Sequence, residues 1–449
     1  MQQVDVAIVG GGPAGTAAAH AAATEGAEAV VFEKGVPRAD RQELGPDSTD
    51  AAGILDYWVD MMDLGEPIPD WVKARELDAA EFIGPNETVT LRSTGVSSSY
   101  PNFGFTMHRS KFDDWMRERC EDAGAEYRVG TSVREVETDF GDPSHTVVLR
   151  DGTEVKADHL VLADGPQRTV TNRVLDPLLP DGSVDKLAST KANHIAYQEF
   201  REFPEEAFEE DRIKFWWGLM PGHTAYPWVF PNDGTVARVG LTMPIGMDLS
   251  TVPNRDQYRL LRAEDTRIPQ GKVYLERLLE LAYPEYDLED FPLVTDRGKQ
   301  NGTETYPISS TQPIESPTAV NIAVVGGAMG ATSAFHEGGD HVAVRTGAIA
   351  GRMAANDTMR AYNSEWQHAI GDEVVRSLSF AELARGLGPD DWDREFAAAR
   401  RIVEHGQEFN LGNSIRAGVS GASLFARYWR HRRRFRKGYV QIREDDYAV

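Results

Sequence analysis

Three glycines and one acid near the N-terminus carry the clearest chemistry in this chain. Gly10, Gly12 and Gly15 form the pattern G-x-G-x-x-G, and Glu33 follows in the next part of the chain. Glycines in this pattern let the backbone approach a pyrophosphate, and an acid about 20 residues further on binds a ribose hydroxyl. The pattern therefore predicts a dinucleotide site. Because the acid disfavours a 2′-phosphate, NAD or the ADP half of FAD fits better than NADP.

Two predicted strands and a helix position these residues. The apolar run from Val4 to Val9 is typical of a buried parallel strand, and the alanine-rich segment that starts at Pro13 and Ala14 favours a helix. A second apolar run, 29–32, leads directly into Glu33 and Lys34. The competing interpretation is an ordinary strand-to-helix turn, but the flanking strand, the helix and the acid at the right spacing favour the nucleotide site.

The composition indicates a large globular protein with an acidic surface. The chain has 449 residues, of which 41% are hydrophobic, enough for two or three domains with substantial cores. The formal net charge of −24 comes from 71 acidic against 47 basic residues, and few of the basic ones are lysine. Diffuse negative charge repels phosphate and argues against nucleic acid as a partner. It also favours adaptation to high salt, as in halophilic archaea; the alternative is an acidic protein from a moderate environment.

The single cysteine, Cys120, excludes an intrachain disulfide, a Cys-rich zinc site and an iron–sulfur cluster. It lies in an amphipathic segment and is expected to be a packed helix cysteine. The first strand begins almost at the N-terminus, which predicts no signal peptide, and no run of 18 apolar residues is present. We therefore expect a cytoplasmic protein.

Strand and helix patterns recur at both ends of the chain and are separated by segments with antiparallel β character. A buried strand at 321–325 runs into a second glycine turn, which predicts one doubly wound domain assembled from separate segments. Within 35–75, Ile54, Leu55, Trp58 and Met61 are expected on one face of a helix. The predicted ranges are 1–75, 106–185 and 296–360 for the nucleotide-binding domain, 76–105 and 186–295 for an inserted β domain, and 361–449 for a helical C-terminal region.

Several motifs together resemble the FAD-dependent geranylgeranyl reductases, within the flavoproteins that share the para-hydroxybenzoate hydroxylase fold. The resemblance spans roughly residues 1 to 370. Besides the first glycine motif, FGFTMHRSKFDDWMRERCEDAGAEY is similar to the family segment in which an arginine, here Arg109, lies near the flavin and pyrophosphate. LVLADGPQRTV matches the family's alanine-aspartate-glycine motif at Asp164 and Gly165, where backbone and carboxylate are expected to meet the cofactor. The resemblance also assigns Val133 to the cofactor site.

The resemblance implies an α/β fold: a discontinuous Rossmann-like FAD-binding domain, an inserted mainly antiparallel β substrate domain and a helical C-terminal region. PGHTAYPWVFP resembles the reductase segment that borders the lipid pocket. Tyr226, Trp228 and Phe230 are spaced by two and so point to one face of a strand. From their burial alone an ordinary packed sheet would be favoured, whereas the resemblance favours the wall of a substrate pocket.

The glycine turn after the last predicted strand departs from the family pattern. In VVGGAMGATSAFHEGGDHV, Gly326 keeps the motif glycine, but Gly327 stands where the family carries an aspartate that binds ribityl hydroxyls. A charged hydrogen bond is worth about 1.5 to 3 kcal/mol, so weakened FAD retention is a hypothesis that follows. The segment 41–50 also lacks a cysteine-glycine pair that many reductases carry.

The segment from His336 to Gly339 occupies the family's helix-start glycine position, so Gly338 and Gly339 are assigned to the flavin site. His336 and His341 can also be read as a metal pair. We prefer the flavin interpretation, because no third ligand stands at a clear spacing, and we predict no metal site.

The predicted function is reduction of C=C bonds in an isoprenoid or isoprenoid lipid by hydride transfer from reduced FAD. The sequence assigns no catalytic proton donor. It contains no second dinucleotide unit, so a ferredoxin or a nicotinamide is expected to dock transiently as electron donor. The basic segment 427–439, RYWRHRRRFRKGY, predicts either a peripheral contact with anionic lipid or neutralisation of the protein's own acids. The alternatives are a monooxygenase of the same fold and a non-enzymatic relative with weakened FAD binding.

Overall fold

The computed structural model describes residues 1–36, 53–180, 184, 191–298, 301–404 and 419–449. The segment 41–50 and the predicted boundary at 185/186 lie outside these residues. The strands, in chain order, are β1 (Gln2–Val9), β2 (Ala29–Phe32), β3 (Gly53–Leu55), β4 (Lys73–Leu77), β5 (Ala79–Ile83), β6 (Thr88–Leu91), β7 (Gly104–Met107), β8 (Glu126–Arg128), β9 (Val133–Asp139), β10 (Ser144–Leu149), β11 (Glu154–Leu162), β12 (His194–Glu202), β13 (Arg212–Trp216), β14 (Tyr226–Pro231), β15 (Val236–Pro244), β16 (Thr303–Ile308) and β17 (Ile322–Val324).

Helices connect and cover these strands. They are α1 (Pro13–Thr24), α2 (Asp56–Met62), α3 (Arg109–Asp122), α4 (Thr169–Leu175), α5 (Gly271–Ala282), α6 (Gly326–Met329), α7 (Asp340–Ala355), α8 (Tyr362–Ala384), α9 (Pro389–Glu404) and α10 (Val419–Phe435). Among the described residues, no helix combines the length and the hydropathy that a membrane crossing needs.

The first sheet is the Rossmann-like layer. Its order is β8-β2-β1-β11-β10-β9, and β17 pairs with the C-terminal half of β11. The pairs β1·β2, β1·β11, β2·β8 and β11·β17 are parallel, whereas β10 runs antiparallel to both of its neighbours. Every residue of β2 is buried, as expected for a parallel sheet with helices on its faces.

In this layer, α1 and α7 pack directly against each other. A Cβ atom at Gly347 would lie 2.0 Å from the carbonyl oxygen of Ala14, and one at Gly351 would lie 2.1 Å from that of Ala18. Alanines on α1 and glycines on α7 therefore let the two backbones approach directly. This contact fixes α7 against α1, the helix that begins at the first glycine turn.

The second sheet has seven strands in the order β16-β12-β15-β14-β13-β5-β6. Its pairs are antiparallel except β5·β13. β16 pairs with β12 along its length, so residues 303–308 lie in this sheet and not in the FAD-binding domain, where the range 296–360 had put them. Edge-strand pairing depends on a partner more than 100 residues away, which a local pattern does not reveal.

A third, small sheet, β3-β7-β4, connects the two layers. The predicted domain boundaries at 75/76 and 105/106 fall inside β4 and β7, so these segments do not separate into two domains there. Ile54 and Leu55, expected on a helix, belong to β3 and pair with Phe105 and Gly104; only the following residues form α2. The prediction for these two residues was wrong because strand pairing overrides the apolar spacing.

The C-terminal helices pack on both layers. Trp392 of α9 contacts Trp217, with ring centroids 4.7 Å apart, and α10 lies along α8. The end of the chain is also part of the core, since Ile442 and Tyr447 are buried. The basic segment 427–439 is therefore followed by residues that the fold needs.

Candidate functional site

The three glycines of the first turn meet two different requirements. Gly10 has φ = +101°, and a Cβ there would lie 2.4 Å from the carbonyl oxygen of Ala163; a Cβ at Gly15 would lie 1.9 Å from that of Gly10. These two glycines are needed by the protein's own packing. A Cβ at Gly12, in contrast, would meet no atom within 4 Å. Gly12 therefore faces open space in front of α1.

The N-terminus of α1 points into the same space. Pro13 is its first residue, and no side chain caps the helix. The amides and the positive end of the helix dipole are thus available to a phosphate.

Glu33 links this turn to the end of β2. Its Oε2 accepts a hydrogen bond from the amide of Gly11 at 2.7 Å, and its Oε1 accepts one from the amide of Gly35 at 2.5 Å. The Tyr127 hydroxyl donates to the carbonyl oxygen of Gly11 at 2.7 Å. Each carboxylate oxygen has a further lone pair, so Glu33 can hold the glycine turn and still accept a ribose hydroxyl.

A cavity of about 700 Å³ surrounds these groups. Its wall combines the glycine turn with residues of β2, α3 and the strands that follow α3. The predicted cofactor residues that line it are Gly10, Gly12, Glu33, Lys34, Arg109, Val133, Asp164 and Gly165. We refer to it as the nucleotide cavity.

A second cavity, of about 760 Å³, adjoins the first. Both are lined by Gly12, Lys34, Arg109, Asp164 and Gly165, so the two spaces meet at these residues. Pro13, Ala14, Gly327, Gly338 and Gly339 also line the second cavity, which has a largely apolar wall and which we therefore call the lipid cavity. Of the predicted cofactor residues, only Gly15 and Gly326 line neither space.

Arg109 and Asp164 stand where the cavities meet. Arg109 is buried; its Nε lies 2.9 Å from Oδ1 of Asp113, and one of its terminal nitrogens lies 3.1 Å from Oδ1 of Asp340. The carboxylate of Asp164 accepts hydrogen bonds from the amides of Val170 and Thr171, at 2.6 and 3.2 Å, and from the Thr171 hydroxyl. The Asp164 carboxylate, expected to meet the cofactor, is therefore already bonded to the start of α4.

The second glycine turn closes one end of the lipid cavity. Gly326 has φ = +56°, and a Cβ there would lie 2.9 Å from Cβ of Ala14, so this glycine permits α6 to pack on α1. A Cβ at Gly327 would lie 3.2 Å from Cδ of Pro166. A side chain at position 327 would therefore press against Pro166, so the absence of the family's aspartate leaves no wide gap there.

Aromatic side chains form another wall of the lipid cavity. Tyr226, Trp228 and Phe230 alternate along β14, are buried and line the cavity. The Tyr226 hydroxyl donates to the carbonyl oxygen of His336 at 2.6 Å, which ties this strand to the loop before α7. The remaining aromatic members of the wall are Tyr57, Trp58, Phe82, Phe103, Phe215, Trp217, Tyr306 and Phe335.

The two histidines near the second turn are engaged within the protein. Trp58 stacks on His341 with ring centroids 4.2 Å apart, and Nε2 of His341 lies 2.5 Å from Oε1 of Glu373. Although burial opposes ionisation, the hydrogen bond from His341 and the charge of Arg345 lower the pKa of Glu373 to about 2. Burial lowers the pKa of His336 to about 3.

Sequence reasoning missed two buried polar residues. Arg168 is fully buried; its Nε donates to the carbonyl oxygen of Ala328 at 2.6 Å, and a terminal nitrogen donates to that of Gly327 at 3.2 Å, so it positions the second glycine turn. Glu337 lines the lipid cavity with a side chain only 3% exposed. The only sequence signal for either was its place beside a glycine motif.

The arrangement fits FAD. An open position at Gly12, an uncapped helix N-terminus and an acid at the end of β2 suit the ADP half, and the adjoining cavity has room for a flavin beside an apolar ligand. The residues that would hold the cofactor come from α1, β2, α3, the segment after β11 and the second glycine turn.

Comparisons with known proteins agree with this fit. Residues 3–180 match the family model described as an FAD binding domain. A digeranylgeranylglycerophospholipid reductase from Methanothrix thermoacetophila is 26% identical over 404 residues, which cover 87% of this chain and 90% of the relative.

Solved structures agree on the fold. A geranylgeranyl bacteriochlorophyll reductase-like protein from Thermoplasma acidophilum has a TM-score of 0.69 at 21% identity, and the match covers 98% of this chain and 100% of that one. An anhydrotetracycline hydroxylase from Streptomyces rimosus has a TM-score of 0.56 at 17% identity, covering 94% of this chain and 76% of the other.

These comparisons confirm the predicted FAD cofactor, the fold class and the resemblance to geranylgeranyl reductases. The protein is an FAD-dependent oxidoreductase with a Rossmann-like FAD-binding domain, an antiparallel sheet and a helical C-terminal region.

Proposed function

We propose that this protein reduces C=C bonds in the chains of an isoprenoid lipid. The observation that carries the proposal is the lipid cavity: a largely apolar space with aromatic walls that opens directly onto the nucleotide cavity. When bound, reduced FAD supplies a hydride at its flavin ring. The relatives named as digeranylgeranylglycerophospholipid reductases support a lipid with geranylgeranyl chains as the substrate class.

The chain's own residues orient the substrate and exclude water. An isolated alkene offers no polar group to hold, so its position depends on the shape of the apolar wall. Trp228 and Phe230 fix one side of that wall on a strand hydrogen-bonded to both of its neighbours, and Phe335 and Trp217 stack against each other with centroids 5.2 Å apart. These rigid rings favour an extended hydrocarbon chain over water.

Visible spectroscopy under anaerobic conditions tests this function. The purified protein, kept in high salt, is reduced with dithionite until the FAD absorbance disappears, and a dispersed lipid with geranylgeranyl chains is then added. We expect the absorbance of oxidised FAD to return, and not to return with the fully saturated lipid. Persistent bleaching with the unsaturated lipid would contradict the proposal, and oxygen consumption that requires the lipid would instead indicate a monooxygenase.

We also propose a peripheral membrane contact through part of the basic segment 427–439. Arg432 and Arg436 lie 3.7 and 3.5 Å from Oδ1 of Asp372, and Arg434 lies 3.7 Å from Oε1 of Glu382, so part of the segment neutralises the protein's own acids. Trp429 is 42% exposed, and Arg430 beside it is also exposed. An exposed tryptophan flanked by arginine suits an anionic lipid surface.

Substitution tests this contact better than deletion, because removing 427–449 would also remove buried Ile442 and Tyr447. We expect Trp429→Ala combined with Arg430→Glu to reduce sedimentation with anionic liposomes while FAD content stays the same. Unchanged sedimentation would contradict the contact. A ferredoxin or a nicotinamide remains our proposed transient electron donor, to be tested by which of them reduces the bound FAD.

A further inference from the structure

Glu337 occupies an unusual place for a carboxyl group. It lies in the loop between α6 and α7 with φ = +57°, a conformation that residues other than glycine adopt uncommonly. This backbone directs a side chain that is 3% exposed into the wall of the lipid cavity. A carboxyl group buried among aromatic side chains requires an explanation, because burial of its charged form is costly.

The neighbours of Glu337 are polar but uncharged. The Thr242 hydroxyl donates to Oε2, the Thr224 hydroxyl lies 3.5 Å from Oε1, and Nε2 of His194 lies 3.4 Å from Oε1. Burial lowers the pKa of His194 to about 4, so this histidine is neutral at pH 7. The carboxyl group thus has hydrogen-bond partners without a cation that would keep it ionised.

Burial raises the pKa of Glu337 to about 8, against the opposite influence of the two threonine hydroxyls. The titratable groups around it are His194, His223, Tyr226 and His336. Burial lowers the pKa of each histidine and raises that of Tyr226, so none of these groups brings a charge at pH 7. We therefore expect Glu337 to be mainly protonated at pH 7.

The other ionisable groups that line the lipid cavity have different surroundings. Asp340 pairs with Arg109 at 3.1 Å, and Asp164 is bonded to the start of α4. Lys34, Arg109 and Arg376 are cations. Glu337, in contrast, lies in the apolar wall of this cavity, and burial raises its pKa.

Glu337 also stands between the two functional parts of the cavity. Gly338 and Gly339, assigned to the flavin by resemblance, follow it directly, and Tyr226 of the aromatic wall is hydrogen-bonded to the residue before it. A proton source for alkene reduction must reach the second carbon of the double bond while the first carbon faces the flavin.

We propose that Glu337 is the catalytic acid of the reduction, an assignment that depends on the proposed function. The reduced FAD that the cofactor residues would hold would supply a hydride, with its electron pair, to one carbon of the double bond. The other carbon gains a proton from the Glu337 carboxyl, as its O–H bond breaks and a C–H bond forms. The carboxylate that remains takes up a proton from solvent water, on the side where partly buried His223 lies with its ring centroid 5.5 Å from that of His194.

The test compares Glu337→Gln and Glu337→Asp with the wild type. Glu395→Gln is the matched control, because burial also raises the pKa of Glu395, which lies on α9 and lines neither cavity. Prereduced protein is mixed anaerobically with the geranylgeranyl lipid, and the return of FAD absorbance is followed from pH 6 to 10. Infrared spectra of the protein without lipid record the protonated carboxyl band over the same range.

We expect the wild-type rate to fall about tenfold per pH unit above pH 8, as a required acid loses its proton. Glu337→Gln should lower the rate about 100-fold or more and abolish this pH dependence, while FAD content and reduction by dithionite stay unchanged. Glu337→Asp should retain the pH dependence at a reduced rate, and Glu395→Gln should behave as wild type. A protonated carboxyl band that persists above pH 7 in the wild type and is absent in Glu337→Gln would support the assignment.

A Glu337→Gln protein that reduces the lipid at the wild-type rate would overturn the assignment alone, as would a wild type without that infrared band. If the reduced wild type is not reoxidised by any geranylgeranyl lipid, the proposed function fails and the role of Glu337 fails with it. The two failures can be told apart, because the wild type reacts with the lipid only if the proposed function holds.

Discussion

The nucleotide cavity and the lipid cavity are built in opposite ways. In the nucleotide cavity, most cofactor contacts are expected from backbone atoms of the glycine turn, from one helix end and from Glu33. Several of these groups lie within residues 9–36. The wall of the lipid cavity consists of large side chains from β5, β13, β14 and the loop before α7. A site made from local backbone leaves a compact motif in the sequence, whereas a site made from distant side chains does not. We therefore expect an added Cβ to impair the nucleotide cavity and the removal of an aromatic ring to impair the lipid cavity.

The largest effect is expected from a pair of glycine substitutions. Gly15→Ala places a Cβ 1.9 Å from a backbone oxygen, so we expect a loss of several kcal/mol in the free energy of unfolding, as for overpacking that backbone cannot relieve. Gly12→Val has room for its side chain in the protein and should instead exclude the cofactor, lowering FAD retention about 100-fold. Denaturant unfolding of the apoproteins and FAD content after dialysis measure the two effects. A Gly12→Val protein that keeps its FAD would contradict the placement of the pyrophosphate.

Removal of Trp228 should affect the other cavity. We expect Trp228→Ala to cost about 3 kcal/mol of stability and to raise the KM for the lipid about tenfold or more, with no change in FAD content. Trp71→Ala is the control, because Trp71 is 48% exposed and lines neither cavity. If Trp228→Ala lost FAD and kept its KM, the two cavities would not have separate roles.

The pH dependence of stability should reveal the buried acid of the lipid cavity. The folded-state pKa of Glu337, about 8, lies above its ordinary value of 4.5, so its contribution to stability is present below pH 4.5 and is lost as the pH rises to 8. The loss is roughly 1.4 kcal/mol per pH unit. We expect Glu337→Gln to remove this slope in urea unfolding of the apoprotein between pH 5.5 and 7.5. The same slope in both proteins would show that another group is responsible.

The smallest effect is expected from Gly327→Asp. The new carboxylate would add a hydrogen bond to FAD worth about 1.5 to 3 kcal/mol, but its Cβ would lie 3.2 Å from Cδ of Pro166, and overpacking costs about 1 to 3 kcal/mol. We therefore expect FAD affinity to change less than tenfold, measured by fluorescence titration of the apoprotein. A change of 100-fold would show that Gly327 is the main weakness in FAD binding.

The sequence predicted the nucleotide end in more detail than the lipid end. FAD as cofactor, the fold class and the reductase resemblance were confirmed, because glycine turns and their flanking strands are local features. The roles of the individual site residues remain predictions. In the structure, the Asp164 carboxylate accepts hydrogen bonds from the start of α4. The motif does not show this contact, because α4 begins five residues after Asp164.

Long-range pairing accounts for what the sequence did not reveal. Ile54 and Leu55 have helical spacing but pair with β7, and β16 joins a strand more than 100 residues away. Glu337 stood beside two noted glycines, yet its surroundings depend on Thr242 and Tyr226, which are paired neighbours in the second sheet. A glutamate becomes recognisable as a proton donor only when the residues around its side chain are known.

The mass of the lipid after a single anaerobic turnover tests the reduction of its double bonds most directly. Reduced protein is incubated with a geranylgeranyl lipid in high salt, and the extracted lipid is analysed by mass spectrometry in H₂O and in D₂O. We predict a gain of two hydrogens for each reduced double bond, and of two deuterons per bond in D₂O, because both the flavin N–H and the carboxyl O–H exchange with solvent. A lipid of unchanged mass, or one that has gained oxygen, would contradict it.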